Sequence, residues 1–144
     1  MDNFRLQRFV DAQDGGHTYE EVVRGLRLGR KSTHWMWFVF PQIAGLGRSE
    51  QARRFAISGL AEAKGYLAHP VLGPRLRECS RLLVQLPTRD AISVLGHTDA
   101  TKLRSSMTLF AEAAPHERVF RDVLDLFFAG EADLATTTLL ATTA

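Results

Sequence analysis

The chain has 144 residues, 45% of them hydrophobic and 24% charged, with a formal net charge of +2. That sizes it for one domain able to bury roughly two-thirds of its unfolded surface without disulfide or metal staples. A single cysteine, Cys79, excludes an intramolecular disulfide and any cysteine-rich metal site. No run approaches the roughly 20 apolar residues of a membrane span, and the first residues, MDNFRLQRFV, are charged where a secretory leader would be apolar. A cytoplasmic monomer or small homo-oligomer is therefore expected.

Leu6, Phe9 and Val10 mark one face of a first helix, which Gly15 and Gly16 break. Thr18 and Glu21 have the spacing of a capping box, followed by Tyr19, Val22, Val23 and Leu26 as an apolar face and Gly29 as a stop. Residues 35–40 are the only stretch that reads as a strand, and one strand makes no sheet; they are expected as a buried helix or extended core segment ended by Pro41. Ser49 can cap a helix carrying Ala52, Phe55 and Ala56, and Ser58 another carrying Leu60, Ala63 and Leu67. A helix beginning near Pro74 should run to Leu86, with Cys79 a buried small hydrophobe among Leu72, Leu76 and Leu83. Pro87 and Thr88 start a short helix with Ile92 and Leu95 inward, ended by Gly96. Leu103, Met107, Phe110 and Ala114 form a stripe over residues 99–115, and Phe120, Val123, Leu124 and Phe127 another before Gly130, with a last short helix from Asp133. The expectation is an all-α single domain over residues 1–144, with roughly seven to nine short helices.

Several stretches carry a resemblance. They are Leu6-x-x-Phe9-Val10-x-Ala12-Gln13, then Gly29-Arg30-Lys31-x-x-His34-Trp35-Met36-Trp37-Phe38-x-Phe40-Pro41-Gln42, and Gly45-Leu46-Gly47-Arg48-Ser49. Tyr66-Leu67-x-His69-Pro70-x-Leu72-Gly73-x-Arg75-Leu76 and Asp99-x-x-Lys102-Leu103-x-Ser105-Ser106-Met107-Thr108-Leu109-Phe110 continue it. Through these the chain resembles the bacterial and fungal domain-of-unknown-function family 1810, over about residues 3–128. Thr33 and Phe55 depart mildly from the family pattern. The resemblance implies a mainly helical single-domain fold; it implies no assigned activity and supplies no catalytic residue.

Charge is unevenly spread. Residues 22–89 hold twelve Lys/Arg against three acids, Glu50, Glu62 and Glu78, a local +9; residues 1–21 carry −3 and residues 90–144 carry −4. The basic side chains are almost all arginine, whose planar fork suits phosphate or carboxylate. Two readings stay open: the basic middle meets an anionic ligand, or the acidic ends fold over it and neutralise it.

Three groups of residues flank that choice. Gly45, Gly47 and Arg48 lead into a helix, where glycines allow close backbone approach, first-turn N–H groups favour an anion, and Arg53 and Lys31 add charge. The pattern lacks the third glycine and preceding strand of a nucleotide fingerprint, and its plainer reading is a turn capped by Ser49. His34 sits beside Trp35 and Trp37, whose indoles can stack on a base or sugar; on a helix, His34 and Trp37 share a face while Trp35 points away into packing. Asp99, Lys102 and Ser105 open the most regular helix, with capping and solvation as their plainer roles. The candidate ligand set is thus Lys31, His34, Trp37, Gln42, Gly45, Gly47, Arg48, Arg53 and Asp99, and any chemistry would fall to His34, Lys102 or Ser105. No paired Cys/His spacing exists, so neither metal nor cofactor is expected. An anionic small molecule such as a nucleotide-derived metabolite is the expected partner. The alternative is a non-enzymatic protein-interaction or nucleic-acid-binding module, with nucleic acid disfavoured by modest net charge and no reading motif.

Overall fold

In the computed structural model, which describes residues 3–142, the helices run α1 (Gln7–Asp14), α2 (Thr18–Leu28), α3 (Met36–Val39), α4 (Glu50–Arg54), α5 (Leu60–Ala68), α6 (Leu72–Val84), α7 (Ala91–Leu95), α8 (His97–Ala113), α9 (Arg118–Phe128) and α10 (Leu134–Thr142). The fold is all-α, as the spacing of its apolar residues requires; among the described residues the only extended pairing is an isolated parallel bridge between Ile43 and Ile57. No helix among the described residues is long and apolar enough to cross a membrane.

Helix α8 is central because its apolar stripe is nearly all round: Leu103, Met107, Leu109 and Phe110 are fully buried, and Ala111 and Ala113 let neighbours approach closely. It packs against α3, α5, α7, α9 and α10, while α6 joins α2, α5 and α9. One aromatic chain links these layers, from Phe55 to Phe9 (centroids 5.7 Å apart), Tyr66 (5.1 Å), Phe110 (5.4 Å) and Phe120 (5.9 Å). Such tilted and edge-on pairs contribute about 0.5–1.5 kcal/mol each beyond their area.

Most polar groups inside this core are paired. The buried Gln13 amide donates to Phe38 O at 2.8 Å and to the Tyr66 hydroxyl at 3.2 Å, and its oxygen accepts from Arg75 at 3.2 Å. One side chain of α1 thereby touches α3, α5 and α6. Buried Glu62 accepts from Ser58 N at 2.9 Å and from the Arg8 guanidinium at 3.0 Å.

Several helix starts differ from the expected ones, each for a local reason. Thr18 does not form a capping box: Gly15–His17 make a 3₁₀ turn running into α2, and the Thr18 hydroxyl donates back to Gly15 O. Helix α7 starts at Ala91, where Asp90 accepts from Ile92 N at 3.0 Å and Ser93 N at 3.2 Å, instead of at Pro87. Ile92 is 53% exposed, because this five-residue helix buries Ala91, Val94 and Leu95 instead. Gly59 precedes α5 in place of Ser58. Ser49 caps as expected, accepting from Ala52 N at 3.1 Å, and Asp133, expected as the start of the last helix, stands just ahead of α10 and accepts from Thr136 N at 3.0 Å. The acidic ends do reach the basic middle, through Asp14 to Arg75 (2.8 Å), Asp99 to Lys31 (2.7 Å) and Glu117 to Arg77 (2.6 Å). Arg24, Arg27, Arg30, Arg48, Arg53, Arg81 and Arg89 remain exposed.

Candidate functional site

The segment after α2 builds the most unusual electrostatic corner of the molecule. Gly29 ends the helix, Arg30 N closes it on Gly25 O at 2.9 Å, and Lys31 N then donates to Val94 O at 2.8 Å, pinning the strap to α7. From there the Lys31 side chain, 6% exposed, reaches Asp99 in the first turn of α8 at 2.7 Å. Its ammonium lies 5.3 Å from the buried Trp35 ring. Lys102, one turn along α8, stands 3.5 Å from the other Asp99 oxygen and 4.4 Å from the ring of half-buried Trp37. Two ammonium groups thus share one carboxylate, each beside an indole. An ammonium taken out of water is tolerated only when paired, and an indole face adds about 0.5–2 kcal/mol of attraction to a cation.

The candidate residues fall into separate places. Lys31, Trp37, Asp99 and Lys102 meet at this corner, joined by Trp35, which the sequence reading had assigned to packing. Gln42, Gly45, Gly47 and Arg53 line a different recess of about 140 Å³. There the glycines answer to packing. Gly45 has φ 104° with Leu139 of α10 lying 3.4 Å from where a Cβ would be, and a Cβ on Gly47 would come within 2.5 Å of that of Ala52. Arg48 is exposed and lines neither place. His34 is also exposed; α3 begins only at Met36, so the helical face it was to share with Trp37 does not exist at residue 34.

Nucleophile candidates have other employment. The Ser105 hydroxyl lies 3.2 Å from Thr101 O and 3.1 Å from the Asp133 carboxylate, serving the joint between α8 and α10. Burial pushes the Cys79 thiol up to about 12, which keeps it protonated and unreactive in the folded state. Among the described residues no group of three His, Cys, Asp or Glu side chains could hold a metal ion. Ser106, one turn beyond Lys102 on α8, carries the one buried side-chain polar atom without a partner among the described residues. Nothing in the sequence distinguished it from Ser105; only the rotation of α8 against its neighbours does. A further hollow, of about 540 Å³, runs along α2 beside Tyr19, Val23 and Leu28, and its walls come from that single helix, so no groups converge there.

The comparisons with known proteins agree with this architecture. The model of the family described as "Protein of unknown function (DUF1810)" matches residues 3–140. No curated protein matches. Among solved structures, the chain is similar to the conserved hypothetical protein Rv1873 from Mycobacterium tuberculosis, at 49% identity over 97% of this chain and 99% of that one, with a TM-score of 0.94. By the extent of the family match, this chain belongs to the DUF1810 family.

Proposed function

We propose that the protein binds an anionic small molecule at the corner of Lys31, Trp37, Asp99 and Lys102. The observation that carries this reading is the sharing of one carboxylate by two ammonium groups. Asp99 is committed to Lys31 at 2.7 Å and stands 3.5 Å from Lys102, so the corner keeps one positive charge more than it neutralises. A ligand anion supplies the missing second partner for Lys102, and the half-exposed indole of Trp37 offers a face for a planar ring. Nucleotide-derived metabolites join those two features in one molecule and are the class to test first. Binding, not catalysis, is the activity favoured, because Ser105 is engaged elsewhere and His34 lies outside the corner.

A thermal-shift screen of nucleotides, sugar phosphates and ADP-ribose tests this. A ligand at one hundred times its Kd stabilises the fold by about 2.7 kcal/mol, and Lys102→Ala should weaken it about tenfold or more. Unchanged affinity in Lys102→Ala and Trp37→Ala, or silence across the screen, refutes the site. A second reading, attachment of a partner protein, is favoured by α2, where Leu28 is 75% exposed next to the exposed Arg24 and Arg27. A strict monomer in sedimentation that also retains no partner in pull-downs would remove it.

A further inference from the structure

A second cleft, of about 260 Å³, lies on the other side of α8 by helical spacing: His97, Ala100, Thr101 and Arg104 line it, whereas Asp99 and Lys102 point the opposite way. Four charged side chains border this one space: Arg89 and Asp90 ahead of α7, Arg104 on α8, and Asp133 ahead of α10. Two are cationic and two anionic. Yet among the described residues neither arginine forms an ion pair with either aspartate; Arg104 pairs with Glu131 alone, at 3.4 Å.

Local bonds hold these charges apart. One Asp90 oxygen is fixed by the α7 cap. One Asp133 oxygen takes Ser105 Oγ at 3.1 Å and Thr136 N at 3.0 Å. Arg104 donates from Nε to Glu131 O at 2.9 Å and from Nη2 to Ala132 O at 3.0 Å. Arg89 reaches only Leu86 O and Thr88 O, both at 3.4 Å. Each group is therefore oriented at one end and keeps a polar atom to spare: the second oxygen of each aspartate, Nη1 of Arg104, and Nε and Nη2 of Arg89. Opposite charges kept apart across a shared space are complementary to a ligand that carries both signs. The rest of the wall is mainly apolar, formed by Ala91, Ala100, Phe127, Phe128 and the exposed Ile92, with His97 and Thr101 of α8 as its two other polar groups. The volume lies just below the roughly 300–1,000 Å³ of drug-sized pockets, which suits a smaller metabolite.

We propose that this cleft binds a small zwitterion with an apolar side chain, the chemistry of a free apolar α-amino acid. Its carboxylate meets Arg89, its ammonium meets Asp133, and its side chain lies against Phe127 and Phe128. The site is independent of the Lys31 corner.

The test is calorimetric titration of the full chain at physiological salt with phenylalanine, leucine, isoleucine and methionine. Two truncated probes accompany them: 3-phenylpropionate, which lacks the ammonium, and phenethylamine, which lacks the carboxylate. At least one amino acid should bind about tenfold or more tightly than either truncated probe. Arg89→Gln should weaken it by a similar factor while leaving Tm unchanged, since Arg89 is exposed and holds only long bonds; Lys102→Ala should leave it untouched. No saturable binding by any of the four up to about 10 mM overturns the proposal. So does a truncated probe that binds as tightly as phenylalanine, or an Arg89→Gln variant that binds like the parent.

Discussion

Removing the Asp99 carboxylate leaves an ammonium stranded where water cannot reach it, and the consequence can be sized. Unit charges 2.7 Å apart attract by about 6 kcal/mol at an effective dielectric of 20. Most of that offsets the desolvation of the two groups, but deleting one partner of a buried pair still costs about 3–5 kcal/mol. With the side chains 6% and 18% exposed, Asp99→Ala belongs at the lower end, about 3 kcal/mol, or a fall in Tm of about 6–12 °C for a domain of this size. Lys31→Met keeps the apolar stem and leaves Asp99 to Lys102, so it should cost only about 1 kcal/mol. In the double variant the buried Lys31 charge is gone and only Lys102, 19% exposed, is left without Asp99, so urea unfolding should return a coupling of about 1.5–3 kcal/mol across the cycle. If the two single effects add to within about 0.5 kcal/mol, Lys31 and Asp99 do not act as a pair, and the account of the corner fails.

Gly47→Ala should destabilise the fold by about 1–3 kcal/mol through overpacking against Ala52, read by the urea midpoint; a neutral result would mean that the turn yields more easily than its 2.5 Å approach implies. Ser106→Ala should be neutral or stabilising by up to about 1 kcal/mol, since it deletes a buried hydroxyl that has no partner, and a loss above that would reveal a bond to Ser106. Cys79, its thiol pushed up to about 12 by burial, should resist alkylation at pH 8 until urea unfolds the chain; rapid labelling of the native protein would contradict its burial. The bidentate bond from Arg77, at 2.6 and 2.9 Å, holds the Glu117 carboxyl below its usual 4.5. Its contribution is therefore complete above pH 4.5 and disappears as pH falls through the lowered value. The stability gap between the parent and Glu117→Gln should accordingly close in acid, and a gap constant down to pH 2 would refute the linkage.

What the sequence made legible follows the reach of each signal. The leucine and phenylalanine stripes of α6, α8 and α9 are local, period-bound patterns, and they give the all-α architecture directly. The cap made by the single short side chain of Ser49 was equally readable. Starts that depend on backbone twist were not: His17, in a left-handed conformation, displaces Thr18 from the cap position. The site divides in the same way. Lys31 and Asp99 were each suspected from charge and from helix-end position, but 68 positions separate them in the chain, and no local pattern says that they touch. Trp35 is buried in packing, as expected, and what the sequence did not show is that its ring also lies beside the Lys31 ammonium, which depends on how the strap enters the one-turn α3. The zwitterionic cleft had no sequence signature, since Arg89, Arg104 and Asp133 come from three elements that only the packing of α8 against α7, α9 and α10 brings together.

The Gln13 amide has a consequence for how sharply the native state is defined. Its donor end faces a carbonyl and a phenol, its acceptor end a guanidinium, and these belong to three different helices or their flanks. Only a group with a donor at one end and an acceptor at the other, at that length, satisfies all three, so it fixes the rotation of α1 about its axis as a key fixes a tumbler. Apolar faces tolerate sliding; a polar fork does not. A Gln13→Leu chain should therefore keep its helix content and much of its stability while losing near-ultraviolet circular dichroism and amide-proton dispersion around α1 and α3. In that chain the same core would persist without a single agreed alignment of its helices.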